Sequence, residues 1–481
     1  MLAFRRSWVK VLAALPVAAL AVGSPVLTSQ ARAAWSRPNI VLILTDDQPW
    51  NSLWAMPAVE RRLMAHGVTF KRAFVVNALC CPSRASILTG QYSHSTGVYT
   101  NDGHNHGGFP AFRSHEWSTV ATWLHAVGYR TALVGKYLND FGYAGRHGHV
   151  PKGWDRWVAF AEDNGLYYDY RLSVDGRIRY YGSSARDYST DVLRSYAVRF
   201  IRSSKRRPFF LMFSPFAPHG PPIPAPRDAS RFSGLRPYRP PNFNERDVSD
   251  KPRWVRTLPM LTPSRISRID QARRQTFATL VSADDAVAGI IRALQRTGRL
   301  HDTMILFMSD NGVAFGEHRW NYKMSPYEES VRVPMVIRYD PLTWRPRTSR
   351  RLVLNIDVAP TLAQMAKARP ATRVDGRSLV PLLTGTHPPW RRDFLIEHIV
   401  TQLDHPYLPA YCAVRSPRYL FVTYEYRTAP RYEYELYDVT RDPYELRNHA
   451  RTARYQPILR RMKRRLRTLC HPPPPGYSLP P

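Results

Sequence analysis

Apolar residues run almost without interruption from Asn39 to Leu44 and stop at Thr45-Asp46-Asp47. A run without polar alternation suits a strand buried on both faces, so it predicts an interior strand with two carboxylates at its carboxyl end. Met304 to Met308 repeats the pattern and stops at Ser309-Asp310-Asn311-Gly312, and a third run, Pro208 to Pro218, leads into His219. Ahead of Met304, Phe277, Leu280, Val281, Val287, Ile290, Ile291 and Leu294 recur at helical spacing and end at Thr297-Gly298, which predicts a helix feeding a strand. Strands alternating with helices imply an α/β fold with a mostly parallel sheet, whose ligand sites lie beyond the carboxyl ends of its strands. Chemistry is therefore expected at these polar strand ends.

Residues 221 to 263, rich in proline and arginine with Pro237, Pro240 and Pro241 near their centre, predict a long surface excursion of the kind that lines clefts. After about residue 385 the pattern changes to short tyrosine-rich segments, Tyr419 to Tyr426 and Tyr432 to Tyr437, which predict a small antiparallel sheet. A basic helix from about Tyr455 to Leu469 and the tail Pro472-Pro473-Pro474-Pro475 follow. The expected organisation is a catalytic domain over 38–385, a C-terminal α+β subdomain over 386–470 and a proline-rich tail over 471–481.

The first 33 residues have a basic start with Arg5, Arg6 and Lys10, an apolar stretch from Val11 to Gly23, and Ala31-Arg32-Ala33. This pattern predicts a signal peptide and a secreted or extracytoplasmic protein, exported by the general or the twin-arginine route. No later run is long enough for a membrane helix, which needs about 18 apolar residues. The formal charge of +32 would attract polyanions such as sulfated polysaccharide, or it belongs to a solvated arginine-rich surface. No zinc-finger spacing or aromatic-basic strand accompanies the charge, so nucleic acid is not an expected partner. The four cysteines exclude a disulfide scaffold, and Cys412 with Cys470 is the expected pair.

The sharpest motif is Cys80-Cys81-Pro82-Ser83-Arg84. Pro82 suits a first helical turn, which places Cys80 at a helix N-terminus, where backbone donors and Arg84 favour a thiolate or a bound anion. Asp46, Asp47, Asp310 and Asn311 offer only hard oxygen donors, a set suited to calcium or magnesium. The cysteine motif resembles the signature of the sulfatase family, in which a cysteine followed by any residue, proline, serine and arginine is oxidised to formylglycine. Gly135-Lys136-Tyr137-Leu138-Asn139 resembles the family's second signature, and His219 in Ala217-Pro218-His219-Gly220, Lys323, Asp357-Val358-Ala359-Pro360-Thr361 and Asp375-Gly376-Arg377-Ser378-Leu379 follow in the family's order.

This resemblance implies a three-layer α/β/α alkaline phosphatase-like main domain with a smaller antiparallel C-terminal subdomain. It implies formylglycine made from Cys80 by a formylglycine-generating enzyme, and Ca2+ or Mg2+ held by Asp46, Asp47, the residue at 80, Asp310 and Asn311. Arg84, Lys136 and Lys323 would contact the sulfate group of a sulfate ester substrate, and His219 would protonate the leaving alcohol. The family often carries a histidine two residues after Lys136, where this chain has Leu138, with Asn139 as a partial substitute. The motif details are most similar to N-acetylglucosamine-6-sulfatases and heparan endosulfatases, which implies a 6-sulfated amino sugar in a sulfated polysaccharide. A phosphoester or phosphonate hydrolase of the same superfamily and a non-catalytic polyanion-binding protein are the competing readings, because fold alone does not choose the substrate.

Overall fold

The computed structural model describes residues 37–142, 148–161, 165–205, 207–343, 345–386, 388–400 and 408–480. The expected signal peptide lies outside the described residues. No described helix is long and apolar enough to cross a membrane.

A ten-stranded sheet organises the chain. Four parallel strands form its centre: β1 (Asn39–Thr45), β2 (Arg130–Gly135), β3 (Phe209–Ser214) and β4 (Thr303–Ser309). They lie in the spatial order β4-β1-β3-β2, with Val41 paired to both Leu211 and Ile305. Every residue of β1, β3 and β4 is buried, as their unbroken apolar runs require. Val41, Ile43, Leu211 and Phe307 share one core with residues of two helices, α2 (Ser189–Ser203) and α3 (Pro263–Arg296). Helix α1 (Cys80–Thr89) packs with Val358–Ala366, which in turn packs with Val120–Ala126. The expected helix over Phe277 to Leu294 is the second half of α3, which begins earlier, at a Pro263 preceded by the capping Thr262.

The excursion over 221–263 is mostly irregular, with a 3-10 turn at Pro226–Asp228 and a turn of α-helix at Arg253–Arg256. Beyond it, four antiparallel strands form a separate sheet in sequence order: β5 (Phe394–His398), β6 (Tyr411–Arg415), β7 (Tyr419–Glu425) and β8 (Tyr432–Asp438). Helix α4 (Gln456–Leu469) buries Leu459, Met462 and Leu466 against Leu395, Val414, Phe421 and Leu436 of this sheet. Cys412 and Cys470 are joined as a disulfide, tying the end of α4 to β6. Tyr477 of the proline-rich tail is buried in the same core.

The small sheet also touches the segment leading from β4. Tyr327 donates to Glu435 (2.8 Å), and Tyr411 donates to the Met324 carbonyl (2.6 Å). Tertiary packing of the small sheet thereby sets the backbone beside Lys323.

Candidate active site

The carboxyl ends of β1, β4, β3 and β2 deliver Asp46, Asp310, His219 and Lys136 to one place, with His219 a few residues beyond its strand. In a regular strand the side chains of Asp46 and Asp47 would point to opposite faces. Asp47 instead adopts a left-handed conformation (φ 59°), which aspartate tolerates better than most residues, and this breaks the alternation. Asp47 N and Asn311 N both donate to Asp310 Oδ1, at 3.1 and 2.8 Å, locking the two strand ends together. Gly135 lies so close to β3 that a Cβ would fall 1.9 Å from the Ser214 carbonyl, which receives the Lys136 amide at 2.7 Å. Only glycine permits that approach.

Cys80 opens α1, with Pro82 in its first turn. The Cys81 amide, one of the donors left open at a helix start, is satisfied by Asn101 Oδ1 at 2.8 Å. Lys323 Nζ lies 2.7 Å from Cys80 Sγ and 2.8 Å from Asp47 Oδ1, and Lys136 Nζ lies 2.6 Å from Asp46 Oδ2. Cys80 Sγ is 3.5 Å from Asp46 Oδ1. His219 Nε2 stands 3.5 Å from Asp47 Oδ2, and its side chain is 21% exposed where the surrounding carboxylates and amines are almost fully buried. The structure thus brings together all the site residues expected from sequence.

Arg84 is entirely buried and directed inward. Its Nε donates to Asp310 Oδ2 (2.7 Å), its Nη1 to Ser214 Oγ (2.8 Å) and the Lys136 carbonyl (2.9 Å), and its Nη2 is 3.3 Å from Asp46 Oδ2. Ser214 had no sequence signal beyond its place at the end of an apolar run. Leu138 is buried, and among the described residues no second histidine joins the donor atoms around Cys80. The carbonyl of Asn139 receives the Phe109 amide at 2.7 Å.

The charges are strongly coupled. Burial alone would raise Asp46, but Lys136 and Arg84 hold it well below the ordinary carboxylate range. Burial, and then the neighbouring Asp46, push Asp310 up to about 7. Burial also pushes the Cys80 thiol up to about 12, aided by Asp46 and Asp47 and opposed by Lys136 and Lys323. Burial here works against the thiolate that the motif's helix start favours. Desolvation and the two carboxylates oppose the amines of Lys136 and Lys323.

The donor set fits a hard divalent cation. Asp46, Asp47, Cys80 and His219 place possible ligand atoms within 4.8 Å of one another. The side-chain oxygen of Asn311, fully buried beside Asp47, has no hydrogen-bond partner, an expensive state for a buried amide unless something else binds it. Three carboxylates and an amide oxygen match calcium or magnesium rather than a soft metal.

A sequence model of the sulfatase family matches residues 38–368, more than half of the chain. The chain belongs to the sulfatase family. A second model, the C-terminal region of N-sulphoglucosamine sulphohydrolase, matches residues 316–471 of this sulfatase-family chain. It is 37% identical over 375 residues to the N-acetylglucosamine-6-sulfatase of Capra hircus, covering 75% of this chain and 66% of that protein. It is 34% identical to the extracellular sulfatase SULF-1 homolog of Drosophila melanogaster, over 75% of this chain and 33% of that protein. The chain therefore spans about two thirds of the first relative and one third of the second. Among solved structures, one described as a complex with its substrate D-glucosamine-2-N,6-O-disulfate is similar in fold, with a TM-score of 0.79 at 24% identity over 92% of this chain and all of the other. A phosphonate monoester hydrolase of Agrobacterium radiobacter shares the fold with a TM-score of 0.71 at 21% identity, over 91% of this chain and 96% of that one. The sulfatase-family fold here is thus the alkaline phosphatase-like one, a large central sheet with a smaller antiparallel sheet.

Proposed function

We propose that the chain is an exported sulfatase that hydrolyses 6-sulfate esters of glucosamine units in a sulfated polysaccharide. Formylglycine at position 80 and a divalent metal held by Asp46, Asp47, Asp310, Asn311 and the residue at 80 complete its site. The observation that carries this reading is the convergence of Lys323, Lys136 and His219 on Cys80 and the buried oxygen cluster, within a chain more than one third identical to N-acetylglucosamine-6-sulfatases. When present, calcium or magnesium would draw charge from the sulfate oxygens, and the hydrated aldehyde at position 80 would supply the attacking hydroxyl.

The chain's own residues do the rest. Lys323 and Lys136 hold two ammonium groups where negative charge gathers as the ester bond breaks. Arg84 is too deeply enclosed to follow a moving substrate; it fixes Asp46 and Asp310 and offsets their charge. His219 reaches the cleft through its exposed edge and gives the proton of Nε2, the nitrogen 3.5 Å from Asp47 Oδ2, to the departing oxygen. An unmodified Cys80, with its thiol held up near 12, would be a poor nucleophile at neutral pH.

The domain limits that accompany this reading are 38–385 for the catalytic part, 386–470 for the C-terminal subdomain and 471–481 for the tail. The test compares a 6-sulfated glucosamine polymer, its monosaccharide, an aryl sulfate and a phosphonate monoester as substrates across a salt series. The polymer should be preferred and its apparent affinity should fall steeply with salt. Preference for the aryl sulfate would overturn the substrate, and preference for the phosphonate would overturn the sulfatase reading.

A further inference from the structure

Between Leu446 and Pro481 the chain carries eight arginines and one lysine and no aspartate or glutamate. This is a local concentration of charge well beyond the chain's general excess. Helix α4 organises most of it. With Leu459, Met462 and Leu466 committed to the small sheet, Arg460, Arg461, Arg464, Arg465 and Arg467 are left exposed. Arg460, Arg464 and Arg467 follow the i, i+4, i+7 spacing of one helical stripe, about 10 Å long at the rise of a helix, and Arg461 and Arg465 lie on the next. Among the described residues only Arg465 of these five meets a carboxylate, Asp393 at 2.8 Å. Like charges four residues apart weaken a helix, and an ordinary solvated face mixes both signs. This helix does the opposite, and among the described residues Asp393 is the one carboxylate paired with these five arginines.

We infer that the exposed arginine face of α4 is a docking surface for a linear sulfated polysaccharide, separate from the residues that surround Cys80. A regularly charged chain laid along the stripe would meet several guanidinium groups in succession, each able to pair with a sulfate in the bidentate manner arginine favours. A lipid surface fits less well, because the apolar side of the helix is already buried and leaves nothing to enter a bilayer. Nucleic acid fits less well too, since the one aromatic residue at the helix start, Tyr455, is buried and offers no stacking face. The choice of partner rests on the proposed substrate, but binding can be read without turnover.

The test uses the full chain with Arg460→Ala, Arg461→Ala and Arg464→Ala combined. These are exposed positions that make no ion pair among the described residues, and alanine there favours the helix. A control removes the same charge from the edge strand of the large sheet, Arg177–Tyr181, and the short turn Ala185–Asp187 that follows it, as Arg177→Ala, Arg179→Ala and Arg186→Ala. The α4 variant should leave immobilised heparin at clearly lower salt than the parent, with KM on the sulfated polymer raised about tenfold or more and kcat/KM on the sulfated monosaccharide unchanged. The control should shift elution much less. Equal elution of the α4 variant and the parent, an equal shift in the control, or retention on phosphatidylserine vesicles but not on heparin would each overturn the inference. Should no sulfate ester be turned over by any form, the elution shift still decides the docking surface while the catalytic reading falls separately.

Discussion

Lys323 Nζ stands 2.7 Å from Cys80 Sγ although 243 residues separate the two in the chain. The same ammonium group bridges to Asp47, so the position at the start of α1 is joined to the end of β1 through one amine. Removing this link should harm chemistry more than folding. Lys323→Ala is expected to lower kcat about a hundredfold or more, the size of effect seen when one preorganised charge-stabilising donor is lost. A kcat within a few-fold of the parent would show that Lys323 serves only to hold Asp47.

Protein made in its native host should carry formylglycine at position 80, detectable as a mass change in the peptide that contains it. Cys80→Ala should abolish ester hydrolysis. Cys81→Ala should largely retain it, because Cys81 is buried away from the cluster of donor atoms around Cys80. Full activity in the Cys80 variant would end the proposed mechanism.

Chelation should inactivate the enzyme, and calcium or magnesium rather than zinc should restore it, since Asp46, Asp47, Asp310 and Asn311 present oxygen donors only. Elemental analysis of the active protein gives an independent readout. Chelator-resistant activity in a metal-free sample would refute the site.

His219→Ala should slow sugar sulfates, whose leaving group needs a proton, far more than activated aryl sulfates. Burial lowers His219 below the ordinary histidine range, with Asp47 opposing that shift. A general acid works only while protonated, so kcat/KM on a sugar sulfate should be high on the acid side and decline as pH rises through that lowered value. The decline should be absent in His219→Ala. A limb that persists in the variant would assign the titration to another group.

The bond between Cys412 and Cys470 closes the small sheet and α4 across 58 residues. Replacing both cysteines with alanine should cost roughly 2–5 kcal/mol of stability, the usual range for losing such a link, and lower the unfolding temperature. The monosaccharide kcat should change little at a temperature where the fold survives. An unaltered melting curve would show that the surrounding core alone holds the subdomain.

Much of this molecule was legible from the chain alone. Unbroken apolar runs specify strands buried on both faces, and Asp46, Asp310 and His219 at or just beyond their ends follow from where those runs stop. Period and tyrosine content likewise announced α3, α4 and the small sheet, because local patterning and side-chain alternation act over a few residues. Three-dimensional packing decided what such short-range signals do not encode. The left-handed turn at Asp47 brings two successive carboxylates to one side, and the close approach of β2 to β3 at Gly135 places Lys136. The contacts of the Met324 carbonyl and Tyr327 with Tyr411 and Glu435 of the small sheet set the backbone beside Lys323. The state of Cys80 belongs to the same class: its motif suggested a thiolate, but the thiol's proton affinity depends on burial and on two carboxylates from a distant strand end, terms that exist only once the chain has folded around them.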